Sequence, residues 1–314
     1  MNKKVVILGG GSGLSSVLKG LKQFPIDLTA VITVSDNGRS TGKLREEFNT
    51  PAIGDIRKVI TTLSEIDKPI EELMHYRFKT TSDLNGHPIG NLILTGMYNM
   101  TNSLEETITT LSTLLDVKHK ILPISEDTNL TLMGKTESGK VIEGETEITK
   151  AHTKFKKIYY KEEPKVLPNV IKTIEEADLI IFSMGSLYTS ILPNIICKEM
   201  KKTLDKTKAP ILYLCNAVTQ PGETDNFKVS DHINLLNNYL NKKEISAVIA
   251  SNTKISKEIT DKYQTAEQKD LVEIDYENIK TELIEDDLLV VEDNMIRHNS
   301  IKISSLIFSY LMRN

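Results

Sequence analysis

The stretch "VVILGGGSGLSS", from Val5 to Ser16, decides the fold of this chain. It is typical of a buried strand that runs into a glycine turn and then into the start of a helix. Backbone amides at a helix start carry partial positive charge and unpaired donors, and glycines allow a ligand to approach them closely. The stretch therefore predicts an anion-binding turn made of Gly9, Gly10, Gly11, Ser12 and Gly13.

This turn departs from the dinucleotide-binding fingerprint. Gly11 and Gly13 supply its first two glycines, but Ser16 occupies the position of the third. A nicotinamide-dependent oxidoreductase is therefore disfavoured, and no catalytic dyad is evident elsewhere. The pattern favours a mononucleotide-type cradle, with a tight structural turn as the alternative.

Further apolar runs bounded by turn residues recur at 27–35, 177–185, 209–217 and 244–251, with helical stretches between them. This alternation predicts an α/β fold, a Rossmann-like and mostly parallel sheet with helices on both faces. The stretch from about 117 to 161 breaks the rhythm, because it alternates apolar and polar residues around a Ser-Gly turn. It predicts a small antiparallel β insertion. We expect one domain over 1–314.

Composition limits the class of protein. The net charge of −4 over 314 residues gives no basic footprint for nucleic acid. The apolar runs are too short for a membrane span or a secretory leader, so we expect a cytoplasmic protein without membrane partners.

Arginine is scarce, with six among the 39 basic residues. Arginines kept in a lysine-rich chain are candidates for bidentate binding of phosphate or carboxylate. Four of them lie within one 39-residue window and a fifth near the end: Arg39, Arg45, Arg57, Arg77 and Arg297.

The second strand is followed by "SDNGRSTGKLREEF", 35–48. It is not a P-loop, because three residues separate Gly38 from Gly42 and Leu44 replaces the required hydroxyl residue. The remaining polar loop opens a helix. In it Asp36 can accept from a ribose or hold a cation, and Ser40 and Thr41 offer hydroxyls; a solvated turn is the alternative.

Two nearby motifs add polar groups. "GDIR" places Asp55 and Arg57 at one helix start, as pocket residues or as an N-cap with a surface ion pair. "HPIGN" places His87 and Asn91 four residues apart, on one helix face if that helix begins by His87. With no second His or Cys nearby, a metal site is not expected.

Polar residues also follow two later strands. "GSLYTS" contributes Gly185, Ser186 and Thr189. "CNAVTQPGET" contributes Asn216, Thr219, Gln220, Glu223 and Thr224. Because open α/β sheets bind ligands at the carboxyl edge, we expect these groups in one pocket.

Taken together, these motifs resemble the gluconeogenesis factor family (YvcK-type), in the CofD-like superfamily that contains 2-phospho-L-lactate transferase. "KY" at 262–263 and "IRHN" at 296–299 extend the likeness. The resemblance implies a cytoplasmic regulatory protein that binds a UDP-sugar, typically UDP-N-acetylglucosamine. It also implies a link between carbon metabolism, peptidoglycan precursor synthesis and cell shape, with a regulated partner enzyme and no required cofactor or metal.

The resemblance also carries over individual residues. It implies nucleotide-sugar binding by the opening glycines and Ser12, by Asp36 and the Ser40-Thr41-Gly42 loop, by Asn216 and Thr219, and by Tyr263 and Arg297. The chain departs from the family at Asn37, where relatives commonly carry Asp, and at Arg39, where they often carry Gly. Arg39 favours an anion there.

The transferase branch is the alternative, with magnesium and a guanylyl donor. Its Gly-Asp-Asp run is absent, so the motifs favour the gluconeogenesis factor branch. Catalytic residues stay unassigned. A homodimer is the usual expectation for such a chain.

Overall fold

The strand that begins the chain lies within a seven-stranded sheet. In a computed structural model, which describes residues 2–292 and 295–314, the strands of this sheet are all parallel. Their order across the sheet is β10 (Glu282–Asp286), β9 (Ala247–Ser251), β8 (Ile211–Leu214), β7 (Leu179–Phe182), β1 (Lys4–Gly9), β2 (Asp27–Ile32) and β3 (Lys120–Pro123). The predicted fold class is confirmed.

Helices surround the sheet. They are α1 (Gly11–Leu21), α2 (Arg39–Phe48), α3 (Gly54–Leu63), α4 (Lys68–His75), α5 (Ile89–Thr101), α6 (Leu104–Leu114), α7 (Glu145–Lys150), α8 (Pro168–Glu175), α9 (Lys198–Lys206), α10 (Val229–Tyr239), α11 (Lys257–Glu267) and α12 (Ser300–Arg313). The apolar strands are covered on both faces, and residues 5–8 of β1 are almost completely buried. None of the helices in the described ranges has the length and apolar character that crossing a membrane requires.

A three-stranded antiparallel sheet projects from this body. Its strands are β5 (Val141–Glu143), β4 (Leu132–Thr136) and β6 (Phe155–Tyr160), with β4 in the middle. The predicted hairpin turns at Gly139, whose φ of 91° suits glycine. The sheet starts later than the expected boundary near 117, because Lys120–Pro123 pairs in parallel with β2. Helix α7 lies between β5 and β6.

A second hairpin, which the sequence analysis does not predict, lies near the end of the chain. Its strands are β11 (Leu289–Glu292) and β12 (Met295–His298). The buried Tyr263 of α11 supports it, since its hydroxyl accepts from the Ile296 amide at 2.7 Å. The hairpin thereby brings Arg297 and His298 towards the carboxyl edge of the sheet.

Candidate functional site

Two cavities adjoin each other at the carboxyl edge of the parallel sheet. The first, of about 500 Å³, is called the cradle cavity and is lined by Gly10, Gly11, Ser12, Gly13, Gly185, Ser186, Thr189, Asn216, Gln220, Lys269 and His298. The second, of about 730 Å³, is called the arginine cavity and is lined by Asp36, Gly38, Arg39, Ser40, Thr41, Gly54, Arg57, Arg77, Asn91, Thr146 and Lys150. Lys58, Glu145 and Thr149 line both. Both volumes fall in the range of small-molecule sites.

The opening glycine turn forms one wall of the cradle cavity. Gly11 has a φ of 66°, which favours glycine. A Cβ on Gly13 would lie 2.2 Å from the Met184 carbonyl oxygen, and one on Gly9 would lie 2.1 Å from Ser183 Oγ. These glycines let β1 and α1 pack directly against the β7 turn. The first amides of α1 have no acceptor within the helix, so they are donors for an anion.

Asp55 uses one of these amides. Its Oδ2 accepts from the Gly11 amide at 2.7 Å, and its Oδ1 accepts from Lys58 Nζ at 2.8 Å. The ion pair that the sequence suggested for Asp55 therefore exists, with Lys58 and not with Arg57 as its partner. Sequence reasoning missed Lys58, which places its own positively charged ammonium group between the two cavities.

The second glycine turn, after β7, faces the first. Gly185 has a φ of 145° and is held by Asn216, whose Oδ1 accepts from its amide and whose Nδ2 donates to its carbonyl, both at 2.8 Å. Ser186 Oγ accepts from the Thr189 amide at 3.0 Å, at the start of a π-helical turn, Leu187–Ile191. The segment that follows this turn is therefore helical, with π-helical and not α-helical geometry.

Glu223 supports this turn from behind. It is half-buried and accepts from Ser186 Oγ at 2.8 Å and from the Leu187 and Tyr188 amides at 2.5 and 3.2 Å. Burial raises the pKa of Glu223 to about 7. Glu223 does not line either cavity, so its place is in positioning the turn.

Thr219 and Thr224 hold the next loop together. The Thr219 amide donates to the Asp270 carbonyl at 2.8 Å, and its hydroxyl accepts from the Asp270 amide at 2.9 Å. Thr224 Oγ1 accepts from the Gln220 amide at 2.8 Å. Neither threonine lines the two cavities. Their bonds bring Lys269, which no sequence motif marked, to the wall of the cradle cavity.

A buried hydrogen-bonded network forms the back of the arginine cavity. Ser40 Oγ lies 2.9 Å from His87 Nδ1 and accepts from Asn91 Nδ2 at 3.1 Å. Asn91 Oδ1 accepts from Arg57 Nε at 2.9 Å. His87 precedes α5, which begins at Ile89, so His87 and Asn91 do not share a helix face. They meet through Ser40.

Gly42 of α2 lies close to the preceding loop. A Cβ on Gly42 would lie 2.3 Å from the Asn37 carbonyl oxygen, so glycine lets α2 pack against the backbone of Asn37.

Carboxyl groups face the junction of the cavities. Burial and the nearby Asp55 raise the pKa of Asp36. Burial and the nearby Asp36 raise the pKa of Glu145 to about 7. Glu145 belongs to α7 of the insertion, and Asn37 helps to dock that helix because its Oδ1 accepts from the Thr146 amide at 2.9 Å. Sequence reasoning missed Glu145, which carried no local motif.

These acids do not fit a magnesium ion. Asp36 Oδ1 accepts from the Gly38 amide at 2.8 Å, while Asp55 is occupied by Gly11 and Lys58. Across the two described ranges, no group of three or more His, Cys, Asp or Glu side chains is arranged to hold a metal ion.

The two C-terminal residues of the predicted site lie apart from the cradle cavity. Tyr263 is buried under the β11–β12 hairpin and supports it. Arg297 is exposed and lines a third cavity, of about 840 Å³, which lies against Ser12 and Gly13. His298 lines both the third cavity and the cradle cavity, and burial lowers its pKa to about 4. Arg297 thus borders the glycine turn without lining the cradle.

Comparison with known proteins identifies the family. The model of 2-phospho-L-lactate transferase CofD matches residues 5–295. The chain belongs to the CofD family. Within this CofD family, the gluconeogenesis factor of Bacillus subtilis is 38% identical over 312 residues, 98% of each chain. That of Listeria innocua is 38% identical over 309 residues, covering 98% of this chain and 95% of the relative.

A solved structure of the same group has the same fold. Protein BH3568 from Bacillus halodurans superposes with a TM-score of 0.94 at 36% identity, over 98% of this CofD-family chain and all of the other. A second structure of that protein is described as a member of the UPF0052 family. The resemblance expected from the motifs is therefore confirmed, as a CofD-family protein similar to gluconeogenesis factors over nearly its whole length.

Proposed function

We propose that this protein binds a UDP-sugar of the UDP-N-acetylglucosamine type in the cradle cavity. The observation that carries this proposal is the convergence of two glycine turns, after the neighbouring strands β1 and β7, on one cavity of about 500 Å³. Amides at the start of α1 suit the two negative charges of a diphosphate, as do the ammonium groups of Lys58 and Lys269, which pair with Asp55 and Glu267.

The sugar or ribose hydroxyls have partners on the remaining walls. The Oε1 atom of Gln220 is buried and accepts no hydrogen bond from the described residues. An unsatisfied buried acceptor costs about 1–3 kcal/mol, and a ligand hydroxyl would remove that cost. Glu145 and Thr149 offer further oxygens at the junction of the cavities. Asp36, by contrast, lines only the arginine cavity, so it contacts at most the end of the UDP-sugar that lies towards that cavity.

The cellular role that follows is regulatory. Occupancy of the cradle cavity by a UDP-sugar would report cell-wall precursor supply to a partner enzyme in the cytoplasm, and so link it to carbon metabolism and cell shape. Such a signal requires that the ligand bind two states of the protein with different affinity. Nothing in the site favours the transferase alternative over this one.

Thermal melting tests the binding step. A ligand at 100 times its dissociation constant stabilises the fold by about 2.7 kcal/mol, which raises the melting temperature by several degrees. We expect UDP-N-acetylglucosamine or UDP-glucose to give this shift, and GTP with magnesium or NAD to give none. A shift with GTP and magnesium alone would favour the transferase alternative, and equal shifts with all would contradict a specific site.

A matched pair of lysine variants locates the ligand. Lys269→Gln should weaken UDP-sugar binding about tenfold, because one charge-assisted hydrogen bond is lost. Lys242→Gln, an exposed change in the loop that precedes β9, should leave affinity unchanged. Equal affinities of the two variants would place the diphosphate elsewhere.

A further inference from the structure

The arginines of this chain are largely without acidic partners. Within residues 2–292 and 295–314, the single arginine–carboxylate ion pair joins Arg313 to Glu282. Three of the six arginines, Arg39, Arg57 and Arg77, line the arginine cavity. Lys58 and Lys150 line it as well. The two lysines pair with Asp55 and Glu147, whereas the three arginines form no ion pair with a described carboxylate.

Arg57 is the buried member of this set, with 4% of its surface exposed. Its Nε donates to Asn91, and its Nη1 donates to His75 Nδ1 at 2.6 Å. Its Nη2 donates to no other described residue. Burial and the nearby Arg77 lower the pKa of Arg57 to about 10. Buried charges in proteins are generally paired, so a buried guanidinium that faces a cavity without a carboxylate partner indicates an anionic ligand.

Arg39 shows strain at the same cavity. Its φ is 39°, in the left-handed region that is strained for a residue with a side chain. It is the first residue of α2, where the helix dipole also favours an anion. Strained residues that persist in a fold tend to mark functional sites. Here the strain holds a guanidinium at the mouth of the cavity.

The other wall of the cavity carries acceptors. Asp36 and Glu145 present carboxyl oxygens, and Thr41 and Thr146 present hydroxyls. A free phosphate offers few or no donors to these oxygens. A ligand with an anionic group at one end and hydroxyl groups at the other would satisfy both walls.

We propose that the arginine cavity binds a second small molecule, a hydroxylated phosphate ester of the size of a sugar phosphate, separately from the cradle ligand. Arg39, Arg57 and Arg77 bind the phosphoryl group, since guanidinium matches phosphate in shape and charge. Asp36, which lines only this cavity, accepts from the hydroxyls. This assignment does not depend on the UDP-sugar proposal.

Calorimetric titration of the full chain tests it with glucose 6-phosphate, inorganic phosphate and glucose. We expect the ester to bind, phosphate to bind at least tenfold more weakly, and glucose not to bind. The titration is then repeated with the cradle cavity saturated by UDP-N-acetylglucosamine, where the ester should still bind. The absence of ester binding, or full competition between the two ligands, would overturn a separate site.

Variants assign the binding to the arginines. Arg39→Gly should weaken ester binding at least tenfold without lowering the melting temperature, because glycine relieves the strain at this φ. Arg77→Gln should also weaken it, and Arg313→Gln, whose arginine pairs with Glu282, should not. Wild-type affinity for the ester in both Arg39→Gly and Arg77→Gln would exclude these side chains and overturn the proposal.

Discussion

The cradle cavity and the arginine cavity share one edge of the sheet and three lining residues, yet they are built from different atoms. The cradle is mainly backbone, fixed by glycines that allow two turns to touch. The arginine cavity is mainly side chains, held by a network through Ser40, Asn91 and Arg57. A backbone site needs no side-chain ordering to bind, whereas long side chains lose up to about 2 kcal/mol of rotamer entropy when they are fixed. The buried network meets part of that cost during folding.

The cradle cavity should lose both stability and ligand binding when a side chain is added to its glycine turn. In Gly13→Ala the new Cβ would lie 2.2 Å from the Met184 carbonyl oxygen, so backbone must move. We expect a loss of about 1–3 kcal/mol in the free energy of unfolding, measured by urea titration, together with loss of UDP-sugar binding.

Gly96→Ala is the matched control for this change. Gly96 lies in α5, and a Cβ there would meet no atom within 4 Å. Alanine should stabilise this helix by up to about 1 kcal/mol and leave binding intact. If Gly13→Ala unfolds like the wild type and still binds, the cradle does not depend on close packing.

Glu145 should make the affinity of both cavities for anionic ligands depend on pH. Its raised pKa, about 7, keeps it largely neutral below that pH, and ionisation above it adds negative charge to both sites. Affinity for an anionic ligand should therefore fall by about fivefold between about pH 6 and about pH 8, an effect of about 1 kcal/mol. Charged groups also surround Glu145 in the two cavities, with Asp55 nearby: Asp36, Arg39, Arg57, Lys58, Arg77, Lys150 and Lys269.

Glu145→Gln should flatten this dependence, which titration calorimetry at several pH values can measure. Stability follows the same sign, because a carboxyl whose pKa is raised on folding contributes stability below its unfolded value that is lost as pH rises through about 7. Glu147→Gln, an exposed neighbour, serves as the control. An unchanged pH profile in Glu145→Gln would assign the dependence to another group.

The smallest effect is expected at Arg297, which tests whether the third cavity contributes to the cradle. Arg297→Ala should weaken UDP-sugar binding about threefold, since exposed charge interactions contribute about 0–1 kcal/mol, and should not alter unfolding. Phosphate-ester binding should not change. Unchanged UDP-sugar affinity in a titration of this variant would remove Arg297 from the site.

The comparison of the two cavities also explains what the sequence could reveal. Strands β1, β2, β7, β8 and β9 and both glycine turns follow from short-range patterns, because a buried strand and the turn after it lie together in sequence. Strand β3, which was expected in the insertion, and strand β10 were not predicted as strands of this sheet. Lys58, Glu145 and Lys269 could not be found in this way. They reach the cavities through long-range contacts, such as the pairing of Thr219 with Asp270.

The same limit accounts for the residues whose roles differ from expectation. Thr219, Thr224 and Tyr263 carry polar groups near the sheet edge, but each accepts from a backbone amide, and Tyr263 also donates to Met295 Sδ. A motif shows that a polar side chain is present and not whether it turns towards a ligand or towards its own chain. For Glu223 and Asn216, the sequence located the loop, and the structure shows that both hold the β7 turn.

Asn37 has a consequence for how this chain can change during evolution. Its amide oxygen docks α7 without adding charge beside Asp36, Asp55 and Glu145. An aspartate could accept the same bond, but it would place a fourth acid at that junction. If aspartate replaces Asn37 in a related protein, we expect that protein also to have gained a cation nearby or to have lost one of the other three acids.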